Sequence, residues 1–266
     1  MEFDQKIAIS AESMRLIDDP YFQLLGESNA FCQEVLRTLL KDDQLMVIES
    51  KTQYSIKGAH RGVILDAICR TSRGFCNIEV QNEAVNDDIR RARFHSSIIT
   101  TTKTKKRTQF KDIPNVVIVY ISEYDALKNG HAVTEIRRCQ NVDDKWCPIE
   151  DGELIIFANT AIKEDTIQSE LLQLFLCEGE IDNKHFKEFS RQSHYYKSDE
   201  KGCERMSMTF QDYRKELIAE GEVKGENRLS RLIEQLMEAE RMDDVTKALK
   251  DEKARKRFYR EMGIID

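Results

Sequence analysis

Two adjoining β-strand patterns, each carrying an acidic residue, constrain the fold of this chain most strongly. Residues 61–81, RGVILDAICRTSRGFCNIEVQ, contain two β-branched, apolar runs separated by RTSRG, a segment typical of a hairpin loop. Alternate residues of a strand point to opposite faces, so Glu79 and Gln81 share one face of the second strand. Asp66 lies in the first strand, and we expect the hairpin to place it on the strand next to Glu79.

Helical and strand patterns surround this hairpin. Apolar residues at helical spacing after Ser28 or Asn29 predict a helix over about 29–41. QLMVIESKTQYSI predicts a strand before the hairpin, and NDDIRRARFHSSIITTT predicts a helix after it, with Asn86 as the cap and Asp87 and Asp88 in the first turn. The chain therefore begins with a helix, three successive strands and a second helix.

The remaining segments predict two more strands and a helical C-terminal part. NVVIVYIS and ELIIFAN have strand patterns, and the first is apolar enough to be buried on both faces. The polar, turn-rich residues 123–152 between them predict irregular structure, whereas EDTIQSELLQLFLCEG and DNKHFKEFSRQSHYYKSD predict helices. From about residue 205 the chain is charged and helical, and a narrow stripe of Leu229, Leu232, Ile233 and Leu236 favours packing on a partner.

Composition excludes several classes of protein. No apolar run is long enough for a membrane span, and the N-terminal residues lack a secretory pattern, so we expect a soluble cytoplasmic protein without a membrane partner. The 7 cysteines are odd in number and scattered, with no C-x-x-C pair for zinc or redox chemistry. A net charge of −7 argues against a surface that coats nucleic acid throughout, but it permits a local basic site.

The element order and the residues GVILDAICRTSRGFCNIEVQ, followed by DDIRRARFHSSI, resemble the PD-(D/E)XK nuclease superfamily. The closer resemblance is to the bacterial PD-(D/E)XK family transposases, or recombination-promoting nucleases, whose signature is D…E-x-Q. NVVIVYIS, LIIFANT and the EGEVKGENRL helix extend this resemblance over nearly the whole chain. It implies an α/β fold, with a restriction-endonuclease-like mixed sheet flanked by helices over residues 1–205 and a helical tail over 206–266.

The resemblance implies a metal-dependent nuclease site. Asp66 and Glu79 would hold Mg²⁺, or Mn²⁺, with the Val80 backbone carbonyl as a third oxygen and Glu27 as an additional ligand from the first helical region. Gln81 stands where the superfamily usually has lysine, so it cannot supply charge, and its amide would position the attacking water. Leu65 replaces the proline of the superfamily name, which removes no ligand.

A basic segment follows the site residues. Residues 86–111 contain eight Lys or Arg against two acids, which favours contact with DNA phosphates. Arg90, Arg91 and Arg93 cannot all face one way on a helix, and the loop KTKKRTQFK is as well explained by simple exposure to solvent. The expected DNA-binding residues are Arg90, Arg93, Lys103, Lys105, Lys106 and Arg107.

Two functions fit these residues. The first is a Mg²⁺-dependent DNA endonuclease that hydrolyses phosphodiester bonds of duplex DNA with low sequence specificity, linked to recombination or mobile DNA. The alternative is a nucleic-acid-binding or interaction module on a nuclease scaffold, with weak or no catalysis and self-association through the C-terminal helices. Asp66 and Glu79 carboxylates that point to opposite sides of the sheet would favour the alternative.

Overall fold

The computed structural model describes residues 13–58, 60–82 and 89–264. These residues fall into two compact units that divide between Phe210 and Gln211, close to the boundary predicted near residue 205. The first unit contains a mixed sheet with helices, and the second is helical.

The first unit is built on a six-stranded sheet. Its strands in chain order are β1 (Val47–Ile56), β2 (Val63–Thr71), β3 (Gly74–Gln81), β4 (Val116–Ser122), β5 (Val133–Ile136) and β8 (Glu153–Asn159), and their spatial order is β1-β2-β3-β4-β8-β5. The strands β1, β2 and β3 are antiparallel, whereas β3, β4 and β8 are parallel and β5 is antiparallel to β8. The mixed α/β sheet predicted from the sequence is confirmed.

Helices cover both faces of this sheet. The helices of the first unit are α1 (Asp19–Gly26), α2 (Asn29–Leu40), α3 (Arg90–Lys103), α4 (Ile167–Leu174) and α5 (Lys187–Ser198). Side chains of α1, α2, α4 and α5 form one hydrophobic core with the sheet, including Phe22, Phe31, Leu172 and Phe189. Helix α3 packs Ala92 and Ile99 against the opposite face, on Ile118 and Tyr120.

Local sequence signals set several of these boundaries. Helix α2 begins after Ser28, whose hydroxyl accepts a hydrogen bond from the Phe31 N–H at 3.3 Å. The predicted helix over 29–41 is therefore confirmed, and α1 is an additional helix that the sequence analysis did not predict. The predicted cap Asn86 of α3, with Asp87 and Asp88, lies outside the described residues.

The hairpin between β2 and β3 places the two acidic strands side by side. Gly74 begins β3 with a φ of +129°, a conformation that favours glycine. A Cβ atom at this position would lie 2.4 Å from the Asn115 carbonyl oxygen, so only glycine lets the backbone of β3 approach the segment before β4. The Phe75 N–H donates to that same carbonyl at 2.9 Å.

The segment predicted to be irregular contains three short strands instead. β5 extends the sheet at its edge, while β6 (Cys139–Val142) and β7 (Lys145–Pro148) form a separate two-stranded hairpin. All residues of β6 and β7 are exposed, and Trp146 is 70% exposed. A hairpin with solvent on both faces needs no alternation of apolar residues, so its sequence carried no strand pattern.

The second unit has its own hydrophobic core. Helix α6 (Glu200–Glu238) contributes residues to both units, and α7 (Met242–Lys250) and α8 (Glu252–Glu261) follow it. The stripe residues Leu232 and Leu236 are buried with Val245, Ala248 and Phe258, so helices of the same chain cover the stripe that was predicted to need a partner. No helix in the described part of the chain has the length and apolarity required to span a membrane.

Candidate active site

Asp66 and Glu79 are linked by reciprocal hydrogen bonds between side chain and backbone. The Val80 N–H donates to Asp66 Oδ2 at 2.9 Å, and the Asp66 N–H donates to Glu79 Oε1 at 3.3 Å. The two carboxylates thus lie at one place between β2 and β3 rather than on opposite sides of the sheet. This arrangement differs from the one that would favour the alternative hypothesis.

The carboxylates lie where pairing between β2 and β3 ends. The ladder runs from Thr71 opposite Gly74 to Ala67 opposite Ile78 and stops before Asp66. The Gln81 carbonyl accepts from the Glu123 N–H beyond β4, so the backbone groups of Val80, one residue earlier, point toward β2. The predicted ligand, the Val80 carbonyl, is therefore directed to the same side of β3 as Asp66.

The backbone is unusual opposite Asp66. Gln53 of β1 has a φ of +47°, a left-handed conformation that costs a non-glycine residue about 1–3 kcal/mol. Its neighbours Thr52 and Tyr54 pair with Ala67 and Leu65, so Gln53 lies level with Asp66. Leu65 packs in the core under α3, whereas Ala67 packs in the opposite core, so the strand turns over at Asp66. This turn aims the Asp66 side chain at β3.

Glu79 is buried beneath α3 in a polar cluster. Its side chain has no solvent exposure, and Oε1 accepts from Asn77 Nδ2 at 2.8 Å. His95 of α3 is also buried, with Nδ1 3.4 Å from Glu79 Oε1 but without a hydrogen bond. Glu79 Oε2 has no hydrogen-bond partner either. Burying a carboxylate oxygen in this state is costly, which favours a cationic group beside it.

Arg91 of α3 supplies positive charge at this place. Its Nη1 donates to Gln81 Oε1 at 2.9 Å, and its Nη2 lies 3.6 Å from Glu79 Oε2. Gln81 thus holds a guanidinium beside the buried carboxylate. The charge that Gln81 cannot carry is present on its hydrogen-bond partner.

The pKa of Asp66 reflects these surroundings. Burial raises it well above its usual value, and the negative charges of Glu79 and Asp19 raise it further. The Val80 N–H and Arg91 act in the opposite direction but do not outweigh burial. Two neighbouring carboxylates, one of them fully buried, are an arrangement that a cation would stabilise.

Two acidic residues of the first helical region, Asp19 and Glu27, have different surroundings. Helix α1 begins beside the end of β3, where Asp18 Oδ1 accepts from Asn82 Nδ2 at 3.4 Å and Asp19 acts on the pKa of Asp66. Glu27 follows the opposite end of α1 and forms an ion pair with Arg205. The structure does not join Glu27, the predicted additional ligand, to Asp66 or Glu79, because the Glu27 carboxylate is paired with Arg205.

The donor atoms fit a magnesium ion, although the set is small. The described residues contain no group of three or more His, Cys, Asp or Glu side chains arranged to hold a metal. Mg²⁺ is commonly held by only one or two carboxylates, with water and substrate phosphate completing its octahedron. Asp66, Glu79 and the Val80 carbonyl provide three oxygens of the right kind, and Glu79 Oε2 is a buried oxygen without a hydrogen bond. Mn²⁺ accepts the same ligands.

The expected DNA-binding residues separate into two places. Arg90 and Arg93 line a groove of about 900 Å³ between the start of β2 and α3, together with Arg61 and Arg91. Lys105, Lys106 and Arg107 are exposed beyond the other end of α3, about 20 Å away for a helix of 14 residues. Lys103 lies over the Tyr54 ring at 4.3 Å and donates to the Tyr54 hydroxyl, so its ammonium is held within the protein.

Arg91 and His95 are side chains of the candidate site that the sequence analysis did not assign to it. The apolar pattern of α3 pointed to Ile89, Phe94, Ile98 and Ile99, and of these Ile99 is buried whereas Ile89 and Phe94 are exposed. The buried face also contains Ala92, His95 and Ser96. Arg91 and His95 lie four residues apart, so two polar side chains at helical spacing were the available signal.

Comparison with known proteins does not assign this chain to a family. No protein-family model, no curated protein and no solved structure matches the chain. The function must therefore be argued from the carboxylate pair and the basic groove beside it.

Proposed function

We propose that this protein is a DNA endonuclease that uses Mg²⁺ or Mn²⁺ and acts in the cytoplasm, with low sequence specificity and a role in recombination or mobile DNA. Its sheet unit would belong to the restriction-endonuclease-like folds. The observation that supports this proposal most is the pair of reciprocal hydrogen bonds that joins Asp66 and Glu79 where the β2–β3 ladder ends.

The residues of the site have separate roles in this proposal. Asp66, Glu79 and the Val80 carbonyl would hold the metal, which when bound activates water and offsets negative charge on the phosphate. Gln81 orients the attacking water through its amide group. Arg91, held by Gln81 at 2.9 Å, stabilises charge on the phosphate oxygens. The proton of the attacking water passes to solvent or to the substrate phosphate.

Cleavage of supercoiled plasmid tests this function. Wild-type protein with Mg²⁺ or Mn²⁺ should nick the plasmid, and EDTA should abolish nicking. Asp66→Asn keeps an oxygen that accepts from the Val80 N–H but removes the negative charge. We therefore expect the rate of cleavage to fall by at least about 100-fold. Glu27→Gln is the matched control, because Glu27 pairs with Arg205 and its loss should leave cleavage unchanged.

Two results would reject the endonuclease. These are nicking that persists in EDTA, and equal rates for the wild type and Asp66→Asn. A slower Gln81→Ala variant that still requires metal would agree with the positioning role of Gln81, whereas an unchanged rate would remove that role.

A binding module remains the second candidate. It is favoured by the small number of metal-binding side chains in the described residues and by the arginines of the groove, which can bind phosphate without any metal. Tight DNA binding by the wild type with no cleavage in either metal would make this the better assignment. Self-association through the C-terminal helices belongs to this candidate, and sedimentation of the full chain would detect it.

A further inference from the structure

The groove beside the carboxylates has an unusual lining. It lies between the segment from Arg61 to Ile64 and the first turns of α3, and its volume is about 900 Å³. Ile64 is 58% exposed and Phe94 is 37% exposed, so both apolar side chains reach solvent there. The groove thus combines an accessible aromatic ring with four arginines, Arg61, Arg90, Arg91 and Arg93.

Two cations of the groove lack acidic partners among the described residues. The described lining contains four arginines and no carboxylate, although Arg91 lies beside Glu79. Arg61 and Arg93 form no ion pair with any described residue, whereas Arg15, Arg138 and Arg205 of the same unit each pair with an acid. Cations without acidic partners, such as these two, are suited to an anionic ligand such as a phosphodiester backbone.

Phe94 adds a feature that phosphate binding alone does not require. The Arg61 guanidinium lies 5.8 Å from the centre of the Phe94 ring, so a cation and an aromatic face are presented together. Proteins that bind single strands use this combination, because unpaired bases stack on aromatic rings while cations hold the backbone. The bases of an intact duplex are stacked on each other and cannot use such a ring.

The groove leads to the carboxylate pair. Phe94 lies three residues after Arg91, which places their Cβ atoms about 5–6 Å apart on the helix surface. Arg91 in turn contacts Gln81 and Glu79. A base stacked on Phe94 would therefore bring its own phosphate within reach of Arg91 and the carboxylates.

We propose that the groove binds a nucleic-acid strand through an unpaired base stacked on Phe94, with Arg61 and Arg93 on the adjacent phosphates. This inference rests on the proposed function and narrows its substrate. The preferred DNA is then single-stranded or locally unpaired at the cleavage site, such as a flap, gap or loop, rather than continuous duplex.

Binding measurements in EDTA test this proposal without cleavage. The probes are a labelled 12-nucleotide DNA strand, an oligomer of abasic phosphates of equal length, and a blunt duplex, each measured by fluorescence anisotropy. Wild type should bind the strand most tightly. Phe94→Leu should weaken strand binding about tenfold, because stacking contributes about 1–3 kcal/mol per base, and should leave binding of the abasic oligomer unchanged.

Two further variants separate charge from stacking. Arg61→Gln with Arg93→Gln should weaken binding of the strand and the abasic oligomer alike and reduce the salt dependence of both. Trp146→Leu is the matched aromatic control, since Trp146 is exposed on the separate β6–β7 hairpin, and it should bind as wild type does. Thermal unfolding confirms that each variant is folded.

The outcomes distinguish this proposal from the endonuclease assignment. The stacking site would be overturned if Phe94→Leu bound the strand as tightly as the wild type does, or if it lost as much affinity for the abasic oligomer as for the strand. Either result would count even if plasmid cleavage depends on metal. If Phe94→Leu weakens binding of the strand but not of the abasic oligomer, the stacking site is supported even if the wild type cuts no DNA. In that case only the endonuclease assignment is wrong.

Discussion

At the scale of single residues, the carboxylates of Asp66 and Glu79 take over hydrogen bonds that a continuing strand ladder would have made. Each accepts from a backbone N–H on or beside the opposite strand, and so each is fixed in position without a lysine or arginine on the two strands. The cost is the repulsion between two like charges, one of them fully buried, which Arg91 only partly offsets. Because of this pair, we expect the free energy of unfolding of the protein to depend on pH.

Asp66→Asn should stabilise the protein at neutral pH. Burial and Glu79 raise the pKa of Asp66 in the folded state, so between the unfolded and folded values the folded chain binds more protons. The free energy of unfolding of the wild type therefore falls as pH rises through this window. Asparagine carries no charge, and we expect about 1–3 kcal/mol of added stability above the window.

Thermal unfolding in EDTA between pH 4 and pH 8 measures this effect. The stability advantage of Asp66→Asn should shrink as pH falls toward about 4, where Asp66 of the wild type becomes protonated in both states. Asp143→Asn, in the exposed turn between β6 and β7, is the control and should show no such trend. A difference between Asp66→Asn and wild type that is constant with pH would refute the argument.

The sequence was sufficient to place Asp66 and Glu79 on neighbouring strands, because the hairpin pattern joins β2 directly to β3. It was not sufficient for Arg91, His95 or Asp19, whose contacts with the strands depend on how α1 and α3 dock. The orientation of a helix across a sheet is decided by packing of many side chains. For the same reason the sequence could not show that Glu27 pairs with Arg205.

At the scale of elements, the long apolar strands and the amphipathic helices were predictable because each buries a regular face. The edge strand β5 and the β6–β7 hairpin were not, since they bury little and their sequences keep the polar residues of a loop. The resemblance to a nuclease predicted the mixed sheet. Only the structure showed that the basic segment after β3 consists of two separate groups of residues. Its residues lie at both ends of α3.

The two ends of α3 should contribute differently to DNA binding. The variant combines Lys105→Gln, Lys106→Gln and Arg107→Asn, with asparagine chosen because Arg107 has a φ of +67°. If the three cations contact phosphates, the slope of log affinity against log salt for a long duplex should fall by about 2–3. A four-nucleotide strand confined to the groove should bind unchanged, because about 20 Å of helix separates it from this loop.

The control for this prediction neutralises three cations around α5, which packs against the other face of the sheet from α3. Lys184→Gln, Lys187→Gln and Arg191→Gln should leave the salt dependence as it is in the wild type. An unchanged slope in the loop variant would return residues 105–107 to the interpretation of an exposed loop without a role in binding.

At the scale of the whole molecule, the chain combines a sheet unit that contains the candidate site with a helical unit that has a core of its own. The C-terminal stripe predicted to seek a partner is buried by α7 and α8. Periodicity identified the apolar face but could not say which surface covers it, because the same stripe would suit a second chain equally well. Separate cores lead us to expect separate unfolding.

Phe258→Ala should unfold the helical unit and spare the sheet unit. Phe258 is fully buried in the core of the helical unit, and its truncation should cost about 3–5 kcal/mol, a large part of the stability of so small a core. Limited proteolysis should then remove residues beyond about 210, while calorimetry shows the transition of the sheet unit unchanged.

Leu249→Ala, at a position 52% exposed, is the control and should leave both transitions in place. Loss of both transitions together in Phe258→Ala would show that the two units fold as one. If the sheet unit alone retains metal-dependent cleavage, the catalytic role assigned to Asp66 and Glu79 does not depend on the helical unit.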